Sequence, residues 1–364
     1  MVVGLLWDIS WDASIGRDAF WSPPHIAVNF GAIAAWGAGA WLLVQATLTR
    51  HPASVGVGKL RVPLGAGFVL WGGCALLAAG ALDLWWSSAY GLFPDPWSPP
   101  QILVAAGIAA ILTGTLLVGA SRRNGRLPAS AGKPGKTPEL PAATFPEELS
   151  LLWPAGLLLT FAAAATVQYN LPNLQRTALF YTVSCPLYTL ILAWIGGASR
   201  LRWPASASAL LYTGLVCLLV WILPLFPARP LIGPVYQPVT HMLPPQFPLL
   251  LVVPALGMDL LSRRVRGNDW MRAALFGLLF TAVFMTVQWH FAAFLLSPAS
   301  GNRFWAGGGA HWPFYLQVGP ERTQFWGQAQ SPVTAGAVFL CGLLAVAGAR
   351  IGLWLGRWTG RVRR

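Results

Sequence analysis

Charge is scarce in this chain. Charged residues make up 10% of its 364 positions, and only 11 are acidic against 24 basic. A soluble domain carries about 25% charged residues, so the sequence cannot cover a water-facing surface of this size. Cysteine is scarce too: Cys74, Cys185, Cys217 and Cys341 all fall inside apolar runs and form no C-x-x-C pair. That excludes a cysteine zinc framework and leaves four small buried hydrophobes. Phosphate-loop, dinucleotide-fold, H-E-x-x-H and G-x-S-x-G patterns are absent, which removes the common nucleotide, zincin and serine-hydrolase readings. The first residues lack a basic stretch and reach Asp8 early, so no cleavable signal peptide is expected.

What is present is apolar residue in long runs, 55% of the chain. Runs near ~20 residues match a bilayer core of about 30 Å at 1.5 Å rise per residue. Nine spans are expected near 25–48, 63–84, 101–120, 149–169, 177–198, 205–226, 243–261, 271–296 and 332–355, giving an all-α polytopic transmembrane bundle. The weakest is 243–261, which opens on His241-Met-Leu-Pro-Pro and holds Pro254; membrane helices tolerate proline where neighbours satisfy the freed backbone.

The net charge of +13 would suggest nucleic acid in a soluble protein. Its placement gives another reason. With nine spans, alternate loops and the tail hold 19 of the 24 basic residues, in clusters such as Arg50/Lys59/Arg61, Arg122/Arg123/Arg126 and Arg263/Arg264/Arg266/Arg272. The opposite side holds Arg17, Arg176, Arg229, Arg303 and Arg322. The positive-inside rule then sets the N-terminus and residues 1–24 outside and the C-terminus in the cytoplasm. The expected partner is the lipid bilayer, with other membrane subunits to consider and no nucleic acid; the expected location is a cell membrane, a bacterial inner membrane. Many of the twenty Trp residues, among them Trp21, Trp85, Trp97, Trp153, Trp270 and Trp354, fall at expected interfaces and read as an aromatic belt.

Residues 121–147 are rich in Pro, Gly, Ser, Ala and Lys and read as a flexible cytoplasmic linker. They divide a three-helix unit, 1–120, from a six-helix unit, 148–364, whose long outer loop is 298–331. The first unit contains a repeat. Asp8-Ile-Ser-Trp-Asp12, Gly16 and Trp21-Ser-Pro-Pro-His25 are echoed by Asp83-Leu-Trp-Trp-Ser87, Gly91 and Trp97-Ser-Pro-Pro-Gln101. Ser-Pro-Pro suits a helix start, with serine as cap and proline in the first turn. It does not account for the acids that precede it.

Asp8 and Asp12 are four apart and share one face of a helical turn. A tight turn through Gly16-Arg17-Asp18 would return His25 toward both. Two carboxylates and an imidazole make a site for a divalent metal; imidazole suits copper or zinc, and hard carboxylates suit iron or manganese. Asp83 reads as a cap or the partner of an arginine such as Arg17. Asp259, next to Arg263 and Arg264, reads as a local salt bridge. His241, His290 and His311 also fall on or near the outer side, where an ionisable group within a span is a functional candidate; as lone histidines they also read as packed or interfacial side chains.

The run Asp8-x3-Asp12-x4-Arg17-Asp18-x3-Ser22-Pro23-x-His25, with Trp11 before Asp12, resembles the metal-site motif of the C subunit of the copper membrane monooxygenases, the particulate methane and ammonia monooxygenases. The resemblance covers about 25 residues. It implies a membrane-embedded metal site with Asp8, Asp12 and His25 as ligands, and further subunits in an oxygenase-like complex. The family's middle ligand is His where this chain has Asp12, which hardens the site and weakens the case for copper. The repeat's second copy has Ser87 and Gln101 at ligand positions and reads as metal-free. The expectation is therefore a metal-site membrane protein, an oxygenase-like subunit or a metal-handling protein. The alternatives are a transporter or permease and a structural or assembly subunit.

Overall fold

The computed structural model describes residues 1–15, 21–50, 54–91, 97–125, 145–172, 174–229, 231, 240–265, 267–300 and 331–362. Among the described residues ten helices carry the fold: α1 (Val2–Ser14), α2 (Pro23–Leu48), α3 (Leu64–Tyr90), α4 (Pro99–Gly125), α5 (Phe145–Ala165), α6 (Ala178–Ala198), α7 (Pro204–Ile222), α8 (Val252–Arg264), α9 (Asp269–Leu295) and α10 (Ala335–Thr359). A two-stranded antiparallel hairpin, β1 (Val55–Val57) with β2 (Leu60–Val62), joins α2 to α3. Eight of the helices, all but α1 and α8, are long and apolar enough to cross a bilayer. The protein is a polytopic membrane helical bundle.

The ninth expected span is not one helix. Residues 240–251 contain no helix, and α8 begins only at Val252. Thirteen helical residues reach about 20 Å, short of the ~30 Å apolar core. The extended stretch covers the rest. It runs antiparallel to α7, from Ala228 N–H on Thr240 O (3.1 Å), past Leu249 N–H on Tyr212 Oη (2.8 Å), to Asp259 beside Ser206.

Helix directions agree with a crossing there. Gly348, Gly352 and Gly356 of α10 press on the backbone of Pro186, Leu190 and Trp194 of α6. Each step of four residues in one helix is matched by a step of four in the same direction in the other, so the helices are parallel. Two parallel helices need an odd number of crossings between them; α7 and α9 supply two, and 240–264 is the third. The G-x-x-x-G-x-x-x-G run behind this contact lets two backbones approach where side chains would hold them apart. Gly65 and Gly72 do the same for α3 against Gly114 and Gly107 of α4, in an antiparallel sense.

Three expectations are corrected. Residues 1–14 do not all lie outside the membrane region: α1 folds back along α2, with Gly4 against Val28 and Met1 against Gly31, about nine ångströms along the helix from His25. The linker is shorter than 121–147, because α4 continues to Gly125 and α5 starts at Phe145; residues 126–144 lie outside the described residues, as do 301–330 of the long outer loop. Its flanks are pinned. Arg123 and Glu148, both about 97% buried, pair at 3.2 Å, and Glu148 also accepts from Ser199 Oγ and Arg200 N–H. Asn124 donates to the carbonyls of Thr359 and Val362. These bonds tie together the adjoining ends of α4, α5, α6 and α10 across the proposed unit boundary.

Asp259 is the third correction. It is 2% exposed, and its carboxylate accepts from Ala205 N–H (3.3 Å), Ser206 N–H (2.8 Å) and Ser206 Oγ (2.7 Å). It caps the N-terminus of α7, where the first-turn backbone donors lack helical partners and the helix dipole favours an anion. Arg263 instead stacks on Trp203, 3.6 Å from the ring centre.

Candidate functional site

The outer ends of α1 and α2 bring two of the expected ligands together. Ser22 has extended backbone angles, and Pro23 and Pro24 open α2, their missing N–H groups falling where a helix has no use for them. The Ser22 hydroxyl makes no capping bond to the helix. His25 therefore emerges from the first turn of α2. Asp8 faces it from the middle of α1, with Oδ1 3.4 Å from His25 Nε2. The approach is not a hydrogen bond: Asp8 Oδ1 is buried and has no hydrogen-bond partner. Trp7 and Trp11, on either side of Asp8 in the chain, pack edge to face.

Asp12 sits one turn farther along α1 and is exposed. Among the described residues no three His, Cys, Asp or Glu side chains form a group that could hold a metal. Arg17, Asp18 and His311 lie outside the described residues. Asp83 is half-buried inside α3, two turns before that helix ends, so it does not close the helix as expected. His241 is exposed, with Nδ1 3.1 Å from Thr240 Oγ1, and His290 is exposed on α9.

A second polar centre lies at the break in the seventh crossing. In the stretch 240–251, Pro244, Pro245 and Pro248 have no N–H to satisfy. The remaining groups are met largely by side chains. Ser10 Oγ donates to Leu243 O, Leu243 N–H donates to Ser14 Oγ (2.7 Å), and Leu249 N–H donates to Tyr212 Oη. Leu250 N–H donates to Gln288 Oε1 (2.9 Å), and Gln288 Nε2 donates to Gln175 Oε1 (2.7 Å). Irregular backbone at membrane depth persists only where protein or a cavity surrounds it, and here α1, α7 and α9 supply the surround.

Beside the break is a narrow cavity of about 30 Å³, lined by Leu6 and Ile9 of α1, by Asn170 and Tyr212, and by Gln246 and Phe247 among others. Of these polar residues, none stood out in the sequence. One signal was available: Gln288 and Tyr212 are uncharged hydrogen-bonding groups inside apolar runs, opposite a proline cluster that cannot be helical throughout. His290, singled out as ionisable, is exposed, whereas Gln288 two positions earlier is fully buried. No family model matches this chain, and no curated protein or solved structure matches it either.

Proposed function

We propose that this multi-span membrane protein binds a first-row transition metal near its outer face through Asp8 and His25, as part of an oxygenase-like assembly or in metal handling. The observation that carries the reading is the 3.4 Å approach of Asp8 Oδ1 to His25 Nε2 with no hydrogen bond on that oxygen. Metal bonds of about 2.0–2.2 Å at a tetrahedral angle set two ligand atoms about 3.4 Å apart. One carboxylate oxygen and one imidazole nitrogen suit zinc, copper, iron or manganese. Two protein ligands leave positions open for further groups, for which Asp12, one turn away, is the nearest candidate in sequence. The competing account is a plain Asp–His ion pair, which needs no metal.

The test is elemental analysis of the full chain purified in detergent without chelators. About one copper, zinc, iron or manganese per chain is expected, with at least about tenfold weaker binding in His25→Ala and in Asp8→Asn. Asp12→Asn reports whether that carboxylate takes part. Absence of all four metals, or retention of metal in both variants, overturns the reading.

A second reading is favoured by the break in the seventh crossing. Discontinuous helices near the midplane build substrate sites in many transporters. Substrate-dependent uptake into proteoliposomes that survives His25→Ala would support a permease and count against the metal reading.

A further inference from the structure

A groove of about 420 Å³ runs between α9 and α10, lined by Leu278, Met285, Phe339, Leu343 and Val346 among others, with no charged residue in its wall. Leu278, Phe339 and Leu343 are exposed large apolar side chains, so in a bilayer the groove opens toward hydrocarbon. One end of it is marked. Phe339, Leu343 and Val346 step along one face of α10, and Arg350 is the next residue on that face, four positions on. The Arg350 guanidinium lies 5.1 Å from the centre of the Trp270 ring. Its Nε is buried and has no hydrogen-bond partner, and it joins none of the ion pairs among the described residues. The carboxylate beside Trp270, Asp269, is taken by Arg357.

Trp270 opens α9 and Trp354 lies one turn beyond Arg350, and both are exposed. Tryptophans of this kind sit at the membrane interface, which puts Arg350 about one turn inside it. A cation at that depth without a countercharge is costly. A partner helix would cover the apolar wall and leave that charge unmatched; a lipid phosphate supplies the anion and a chain together. The length also fits. Eleven residues separate Phe339 from Arg350, about 16 Å along the helix and about half of the ~30 Å hydrocarbon core. We propose that the α9–α10 groove holds one anionic phospholipid from the leaflet at this arginine-rich end of the bundle, its phosphate on Arg350 and one acyl chain against Val346, Leu343 and Phe339. Basic pockets between membrane helices recognise such headgroups. A headgroup with net negative charge is preferred to a choline one, whose own cation would meet Arg350 and Arg357. Asp8 and His25 take no part, so the inference stands apart from the metal reading.

The full chain, stripped of lipid in a non-ionic detergent, is titrated with phosphatidylglycerol or phosphatidylcholine of identical acyl chains, and native mass spectrometry counts the lipids bound. The first phosphatidylglycerol should bind about fivefold tighter than the first phosphatidylcholine, the effect of about one arginine on an anionic headgroup. Arg350→Gln should remove that preference. Lys59→Gln deletes an exposed cation from the hairpin at the same end of the bundle and should keep it. Leu343→Trp fills the groove, leaves Arg350 in place and should weaken the first site for both lipids. Equal binding of the two lipids overturns the inference. A preference that survives Arg350→Gln, or is lost as fully in Lys59→Gln, does the same, because it would mean a diffuse attraction to net positive charge. Unchanged binding in Leu343→Trp overturns the placement of the chain in the groove.

Discussion

At the scale of single residues, Asp259 shows what sequence proximity misjudges. Its neighbours in the chain are arginines, and a surface pair with them would contribute little. Burial changes the accounting. The carboxylate sits 2% exposed against the first turn of α7 and accepts three hydrogen bonds from two residues of another helix. Nothing in the order of residues announces a cap that comes from 53 positions away. Asp259→Ala should therefore cost more than an exposed salt bridge would: about 1–2 kcal/mol for the lost cap, with Ala205 and Ser206 N–H left in a dry site. Asp259→Asn, which keeps one acceptor and a good capping shape, should retain part of that stability. Thermal unfolding of both variants in one detergent checks the order. Equal loss in the two would mean that charge, and not capping geometry, holds the contact. Asp8 and His25 were more legible, because their fixed spacing in the chain carries them onto two consecutive helices that face each other. The approach of Asp12 was less so: four residues along a helix put it on the same face as Asp8, yet a full turn farther out.

At the scale of elements, composition found the eight long helices because each meets its environment with side chains alone. The seventh crossing meets it with backbone. Its prolines marked a weak helix, and the physical consequence, an extended outer half, depended on donors and acceptors supplied by α1, α7 and α9. Those partners lie between 37 and 233 residues away in the chain, from Ser10 to Gln288, beyond the reach of any local pattern. Helix α1 was legible only as a helical turn carrying Asp8 and Asp12: thirteen residues are too few to span, and its packing back along α2 shows only in the fold. Gln288 is the sharpest test of this arrangement. It joins Leu250 of the extended stretch to Gln175 of the outer loop after α5. Gln288→Leu removes both bonds and strands a buried N–H and a buried amide, a loss of about 1–3 kcal/mol. Gln288→Glu keeps an acceptor for Leu250 and loses the donor to Gln175. Hydrogen exchange should show faster opening at Leu250 in the leucine variant alone; unchanged exchange there would mean that the extended stretch is held by its other contacts.

At the scale of the whole molecule, charge placement and helix direction are independent lines to the same topology. The first counts arginines in loops; the second follows from glycines that make α6 and α10 parallel. They meet at the seventh crossing. If 240–264 merely dipped into the membrane and returned, Arg263 and Arg264 would emerge on the outer side and α9 would run the other way. Only two crossings would then separate α6 from α10, which would make them antiparallel against their observed parallel register, and the basic residues would no longer gather at one end. The distinction is open to measurement with single cysteines and a membrane-impermeant thiol reagent on intact cells, the four native cysteines lying within helices. Thr240, Lys59 and Arg264 are all exposed in the fold. Thr240→Cys should label from outside, whereas Lys59→Cys should label only after permeabilisation. Arg264→Cys decides between the topologies. Labelling only after permeabilisation means that a thirteen-residue helix and an extended stretch together cross the bilayer. Labelling in intact cells would reduce the count to eight and put the cluster of arginines after α8 on the side from which positive charge is ordinarily kept.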